Sequence, residues 1–192
     1  MRLLVERFEE TPVDFAFEAD SAWWRSSVPA SPGLPAALDE PLHFALRGYC
    51  IGDDLLVEGS LEGRVPLECS RCLARYRHDL REAFRLLLEP AGSRLPADPE
   101  AAEALERDGL CLGEDIETGW YRGLEIDLGP FLREVVMTAL PVKSLCREDC
   151  AGLCPRCGGD RNQVACDCPE FQKPSPFAVL ETLRDGLRKG ES

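Results

Sequence analysis

Histidine is nearly missing from this chain, with two residues in 192. No apolar run approaches the ~20 residues that cross a bilayer as a helix. The opening Met1-Arg-Leu-Leu-Val-Glu-Arg-Phe-Glu-Glu10 puts charges where a secretory leader carries its apolar segment. A cytoplasmic protein is therefore expected, with no membrane partner, and in that compartment thiols are kept reduced. No glycine-rich phosphate loop, nucleophile–base pattern or pair of carboxylates at a defined spacing is present. The expectation is a protein that is not an enzyme and takes no small-molecule substrate. His43 and His78 each stand alone at strand positions and are expected to pack, not to catalyse. Excess basic charge is missing as well. The formal net charge is −13, which on its face argues against nucleic acid as a partner. No internal repeat is evident.

What the chain does have is cysteine. There are ten, and six of them fall between Cys146 and Cys168 with the spacing C-x3-C-x3-C-x2-C-x8-C-x-C. Within this stretch Cys154-Pro155-Arg156-Cys157-Gly158-Gly159 has the form of a metal-binding knuckle. Two residues between thiolates let both sulfurs reach one ion, and the glycine after the second cysteine lets the backbone turn its amides toward sulfur. A second such pair, Cys69-Ser-Arg-Cys72, lies far upstream. Crowded cysteines suit metal better than thiol redox or disulfides, and one or two Zn2+ ions are the expected cofactor. The simplest partition gives Cys154, Cys157, Cys166 and Cys168 one site, with Cys146 and Cys150 joining Cys69 and Cys72 in another. A rival partition pairs the two C-x2-C knuckles, as a zinc ribbon does. A third lets six thiolates share two ions. A site closed by four sulfurs is structural, not catalytic. Cys50 and Cys111 lie outside both clusters and suit buried packing.

Hydrophobic content of 44% supports a core, while 16 glycines and 15 prolines indicate short elements and many loops. Three regions are expected within one structural unit: residues 1–41, two short strands and a proline-rich arm; 42–141, a β body, an acidic loop and a helix; 142–192, the cysteine knuckle and a terminal helix. Ser21 to Pro41 reads as a loop, with Trp23 and Trp24 anchored on the core. From Leu42 the alternation predicts strands that turn at Gly52-Asp53-Asp54 and again at Cys69–Cys72. After that turn, Tyr76, His78, Leu80, Glu82, Phe84, Leu86 and Leu88 share one parity, and a strand is favoured over a helix. Glu89 to Gly119 is acidic and proline-broken, with at most a turn or two of helix near Pro99 and mobile chain elsewhere. Asp127 is placed to cap a helix that Pro141 ends, and Ser175-Pro176 to open another. The fold class expected is α+β: an antiparallel β meander or partly open barrel with a zinc knuckle and two C-terminal-half helices.

Four motifs in order give the chain a likeness. They are Leu67-Glu-Cys69-Ser-Arg71-Cys72-Leu73 after a β region, and Glu125-Ile126-Asp127-Leu128 opening a helix that ends Ala139-Leu140-Pro141. The others are Cys150-Ala-Gly152-Leu153-Cys154-Pro-Arg-Cys157-Gly158 with Cys166-Asp-Cys168, and Lys173-Pro174-Ser175-Pro176-Phe177-Ala178-Val179-Leu180. On these the chain resembles the YceD family, the large ribosomal RNA subunit accumulation proteins. The resemblance implies a ribosome-biogenesis role in accumulation of large-subunit (23S) ribosomal RNA and supplies no catalytic mechanism. One local departure is Arg161, where the family pattern leads one to expect an apolar residue before Asn162.

Charge is unevenly spread along the chain. Arg64 to Arg85 carries a net +3, and Glu89 to Asp127 a net −8. If RNA is touched directly, Arg71, Arg75, Arg77, Arg81 and Arg85 are the candidates, because guanidinium forks to phosphate or stacks on a base. The bland alternative is a solvated strand face with cross-strand ion pairs. Few aromatics interleave with these arginines, so base stacking is not indicated. The partner is then either large-subunit ribosomal RNA or its precursor, or a ribosomal protein bound without RNA. The acidic segment suits the second, since ribosomal proteins are commonly basic.

Overall fold

The computed structural model describes residues 1–28, 30 and 34–169. The helix expected from Ser175-Pro176 lies outside the described residues. The chain forms two compact units, Met1–Ser70 with Ala74–Cys146, and Arg71–Leu73 with the chain from Arg147.

The first unit is α+β and mostly sheet. Strands β1 (Arg2–Leu4), β2 (Val13–Ala19), β3 (Leu42–Ile51), β4 (Asp54–Glu68), β5 (Arg75–Pro90), β6 (Leu110–Leu112), β7 (Thr118–Tyr121) and β8 (Glu125–Asp127) are joined by helices α1 (Ser21–Ser27), α2 (Pro99–Asp108) and α3 (Gly129–Ala139). Six strands form one sheet in the order β2-β3-β4-β5-β7-β6, and β1 pairs with β8 separately. The meander is present as β2-β3-β4-β5, antiparallel throughout. The barrel alternative is not: the sheet is open, and β7 joins β5 in parallel. A parallel neighbour needs a crossover, and the acidic segment supplies it.

Alternation explains why Arg75–Pro90 is a strand and not a helix. Leu80, Leu86 and Leu88 turn inward and are buried, while Arg75, Arg77, Arg81 and Arg85 turn outward. Each strand neighbour lends the same parity: Leu42, Phe44 and Leu46 from β3, and Leu55, Val57, Leu61, Val65 and Leu67 from β4. This inner face is covered by α3, whose Phe131, Leu132, Val135 and Val136 are buried, with Phe131 edge-on to Phe84 at 5.5 Å between centroids. Asp127 is not itself the N-cap of α3: that position falls to Leu128, which offers no side-chain cap, and Asp127, one residue earlier, accepts from the Gly129 amide at 2.8 Å and from the Met1 amino group at 2.6 Å.

Two expectations fail for identifiable reasons. Part of the supposed arm is helix α1, started by the Asp20 carboxylate, which accepts from the amides of Ala22 at 2.9 Å and Trp23 at 2.8 Å. Trp24 is then 2% exposed with its indole N–H donated to the Pro35 carbonyl. The acidic segment, expected to be mobile chain apart from a turn or two of helix near Pro99, holds a ten-residue helix there and strand β6 after it. Asp98 and Pro99 open α2, Leu105 packs on Ala91 and Cys111, and β6 and β7 extend the sheet. Few apolar residues suffice there, because Ala91, Ala101, Ala104, Leu105 and Cys111 gather with Trp120 into one small cluster.

Candidate metal centres

Both cysteine knuckles use one local geometry. The Cys69 amide donates to the Ala74 carbonyl at 2.9 Å, and the Cys154 amide donates to the Gly159 carbonyl at 2.8 Å, the same five-residue span. In each turn the residue after the second cysteine is left-handed: Gly158 at φ +72° and Leu73 at φ +59°. Glycine takes this conformation freely, whereas a leucine there costs roughly 1–2 kcal/mol. Leu73 is the non-glycine residue with positive φ among those described, and the knuckle turn is what demands it.

The sulfurs fall into two groups, Cys69, Cys72, Cys146 and Cys150, and Cys154, Cys157, Cys166 and Cys168. Within each group the ligand atoms all lie within 4.8 Å of one another. This grouping is the simplest of the three partitions the spacing allows; the zinc-ribbon pairing of the two knuckles is not what the geometry brings together. A tetrahedral ion with sulfur at ~2.3 Å would set its ligands about 3.8 Å apart, which fits inside that limit. Four soft thiolates suit zinc or a similar ion better than a hard cation. Each group could therefore hold a metal ion.

The two groups differ in cover. Cys69 is 0% exposed, Cys150 2% and Cys72 7%, whereas in the second group Cys154 is buried and Cys157 is exposed. In the second group the amides of Cys157 and Arg156 point at the Cys154 sulfur and hold its thiol down to about 6. Cys166 is raised by its hydrogen bond to Cys154, and Cys168 is pushed up to about 12, first by its bond to Cys157. The Cys154 thiolate forms readily, while Cys166 and Cys168 hold their protons more tightly until a cation replaces them.

An element that residue types alone did not single out is Asn162. Its Oδ1 accepts from the Ala151 amide and from Arg147 Nη2, each at 2.7 Å, and its Nδ2 donates to Asp160 Oδ1 at 2.5 Å and to the Cys150 sulfur at 3.4 Å. Asp160 takes the Asn162 amide at 2.9 Å and Gln163 Nε2 at 3.1 Å. The eight-residue loop between Cys157 and Cys166 is thus organised about one amide side chain that also touches a candidate ligand. The signal for it was the turn-forming Asp-x-Asn inside the loop. Arg161, beside it, donates its backbone N–H to the Gly152 carbonyl at 2.9 Å and is exposed.

The arginine candidates divide. Arg71 Nη1 donates to the Cys150 carbonyl at 2.8 Å, and its own carbonyl accepts from Leu153 at 3.0 Å, so its groups serve the local structure. Arg75, Arg77, Arg81 and Arg85 are exposed on the outer face, opposite Glu68, Pro66, Glu62 and Glu58 of β4. Arg77 reaches Asp39 and Arg85 reaches Glu117, both at 3.6 Å, and Arg64 pairs with Asp79 at 3.0 Å. One row across the sheet runs Asp14, Arg47, Glu58, Arg85, alternating in sign. His43 sits 3.4 Å from Glu18 on the same face, and His78 lies edge-on to Tyr76. Cys50 donates its S–H to the Phe8 carbonyl at 3.2 Å, and burial raises the thiols of both Cys50 and Cys111. Among the described residues no helix is long and apolar enough to cross a membrane.

Comparison with known proteins agrees with these motifs. The family model described as "Large ribosomal RNA subunit accumulation protein YceD" matches residues 57–184, and the chain belongs to that family. It is similar to the large ribosomal RNA subunit accumulation protein YCED homolog 1, chloroplastic, of Arabidopsis thaliana, with 25% identity over 158 residues, 71% of this chain and 46% of the relative. An uncharacterized protein of Mycobacterium bovis is 33% identical over 135 residues, covering 68% of this chain and 58% of the relative. One from Mycobacterium leprae is 27% identical over 118 residues, 62% of this chain and 48% of its own length. The chain spans about half the length of the curated relatives it matches. No solved structure matches the chain.

Proposed function

We propose that this chain is a non-enzymatic ribosome-biogenesis factor that supports accumulation of large-subunit ribosomal RNA in the cytoplasm, with Zn2+ bound at both four-cysteine groups. The observation that carries the role is the family match over residues 57–184. Support for a structural use of zinc is the donor set: four sulfurs complete a tetrahedron and leave no position for substrate or water.

Between the two routes to that role, the charge pattern favours a protein partner over direct RNA contact. The exposed arginines of β5 are interleaved with acids from β4, so the face has little net field to attract phosphate. The segment Glu89 to Asp127, at net −8, is suited to a basic ribosomal protein. The direct route would run through Arg75, Arg77, Arg81 and Arg85, with Arg71 beside them.

Deletion in cells followed by measurement of large-subunit ribosomal RNA tests the role, and unchanged RNA levels would sink it. Ultraviolet crosslinking with sequencing tests the route. We expect protein partners without direct RNA crosslinks; RNA crosslinks lost in an Arg75→Glu, Arg77→Glu, Arg81→Glu variant would establish the arginine face instead.

A further inference from the structure

A cavity of about 600 Å3 opens on the outer face of the sheet, where β5, β6 and β7 meet the first turn of α2. That volume is enough to receive a side chain or two of a partner. Its floor is apolar, with Leu87, Cys111, Leu112 and Trp120. Its polar lining is carboxylate: Glu89, Asp98 and Glu114, with no lysine or arginine among the described residues that line it. Asp98 is fixed in place by accepting the Ala101 amide at 3.1 Å.

The neighbourhood already holds one cation in a telling way. The Arg94 guanidinium lies over the Trp120 ring, 4.7 Å from its centroid, with Nη1 3.1 Å from Glu89. An indole face beside a carboxylate is an environment that selects guanidinium or ammonium. The chain satisfies one such position with its own arginine, and the cavity beside it repeats the chemistry with Asp98 and Glu114.

We infer that this cavity docks a cationic segment of a partner protein, in which lysines or arginines flank one aliphatic or aromatic anchor. The anchor enters over Leu87 and Leu112, and the flanking cations meet Asp98 and Glu114, Glu89 being held by Arg94. The inference rests on the reading that the chain acts through a basic protein of the large subunit, and it names the surface that does so. Phosphate is disfavoured here, because a nucleic acid would meet the carboxylates of Asp98 and Glu114.

The test uses the purified full chain and defined probes, read by fluorescence anisotropy and hydrogen exchange. The first probe is a short synthetic peptide of arginine and lysine around a central leucine pair. The others are the same peptide with glutamate for each cation, a cationic peptide without leucine, and a single-stranded RNA oligonucleotide. The cationic leucine peptide should bind best and protect amides of β6 and β7. Ala97→Trp, which fills the mouth from an exposed position, should abolish that binding, and Glu114→Lys should weaken it on the order of tenfold. Circular dichroism on both variants checks that the sheet is intact, and Ala97→Ser serves as the variant that keeps the mouth open. Equal binding of the acidic or leucine-free peptide, binding indifferent to Ala97→Trp, or displacement of the peptide by the RNA would overturn the inference. Loss of ribosomal RNA on deletion in cells, together with no peptide binding, rejects the cavity and keeps the function. Unchanged ribosomal RNA on deletion rejects the function whatever the cavity binds.

Discussion

Replacing Asn162 with alanine removes four side-chain hydrogen bonds at once: those with the Ala151 amide, Arg147, Asp160 and the Cys150 sulfur. A net hydrogen bond contributes about 0.5–1.5 kcal/mol, and those to charged partners more, which sums to roughly 3–5 kcal/mol before water is considered. Ala151 and Arg147 are exposed and can turn to solvent, so about 2 kcal/mol is the expected loss of stability. The sharper effect is on metal. A hydrogen bond from Nδ2 to a thiolate stabilises its charge, and loss of such a partner typically costs 10–100-fold in affinity. Asn162→Ala should therefore release zinc from the Cys150 site at a lower chelator concentration by about that factor. Asn162→Asp separates the two roles of the amide. It keeps the acceptor for Ala151 and Arg147 but puts a carboxylate beside the Cys150 sulfur and Asp160, so it should lose zinc more readily than alanine does. The assay is competition with a chromogenic chelator, followed at both sites, alongside thermal unfolding of the loaded protein. Wild-type zinc retention in both variants would refute the reasoning, as would alanine losing metal more readily than aspartate.

Three further outcomes are expected. Metal analysis should find two zinc ions per chain, and a thiol reagent should free the ion of Cys154, Cys157, Cys166 and Cys168 first, since Cys157 is exposed while Cys69, Cys72 and Cys150 are buried; release of both in one step, or in the reverse order, contradicts this. Gly109→Ala should cost more than about 2 kcal/mol, because a Cβ there would run into the Glu125 carbonyl and would also sit at a φ of +69°, while Gly158→Ala, with open space around its Cβ, should cost only about 1 kcal/mol; equal melting shifts would show that the close approach is not held in solution. Burial works to raise the Asp127 carboxyl, but the Met1 amino group and the Gly129 amide outweigh it and leave the group below its usual range. Its stabilising contribution is thus complete above the unfolded value of 3.8 and is lost as pH falls through the lower folded value. Asp127→Asn should destabilise by about 1 kcal/mol at neutral pH and flatten the acid limb of a stability–pH curve, and a variant with an unchanged acid limb would remove Asp127 from that account.

The strands were legible where one face is buried and the other wet. Leu55 to Leu67 and Tyr76 to Leu88 alternate because a pleated strand puts successive residues on opposite faces, and a long period-two pattern has few other solutions. Helix α1 was hidden because its seven residues hold two tryptophans and three serines and sit between loop-forming prolines; only Asp20 marked its start. The acidic segment was hidden for a related reason. Its own apolar residues are few and scattered, and Ala91, Ala101, Ala104, Leu105 and Cys111 become a small core only when α2 and β6 fold back to meet one another and Trp120 of β7.

The cysteine pattern by itself determined that thiols gather, because C-x2-C and C-x-C spacings are short enough to force sulfurs together through local geometry. It also identified the family, through motifs that stand in order along the chain. Which thiols share a group was decided only by tertiary structure. Cys69 and Cys146 are 77 positions apart in sequence, and no local rule relates them; the length and pairing of β4 and β5 set where the first knuckle falls. The same holds for the arginine row. Sequence placed Arg75, Arg77, Arg81 and Arg85 on one face, but only the register of β4 against β5 brought Glu58, Glu62 and Glu68 opposite and balanced their charge. Spacing within an element is local and can be read directly, whereas the partner across a ladder depends on where two distant segments meet.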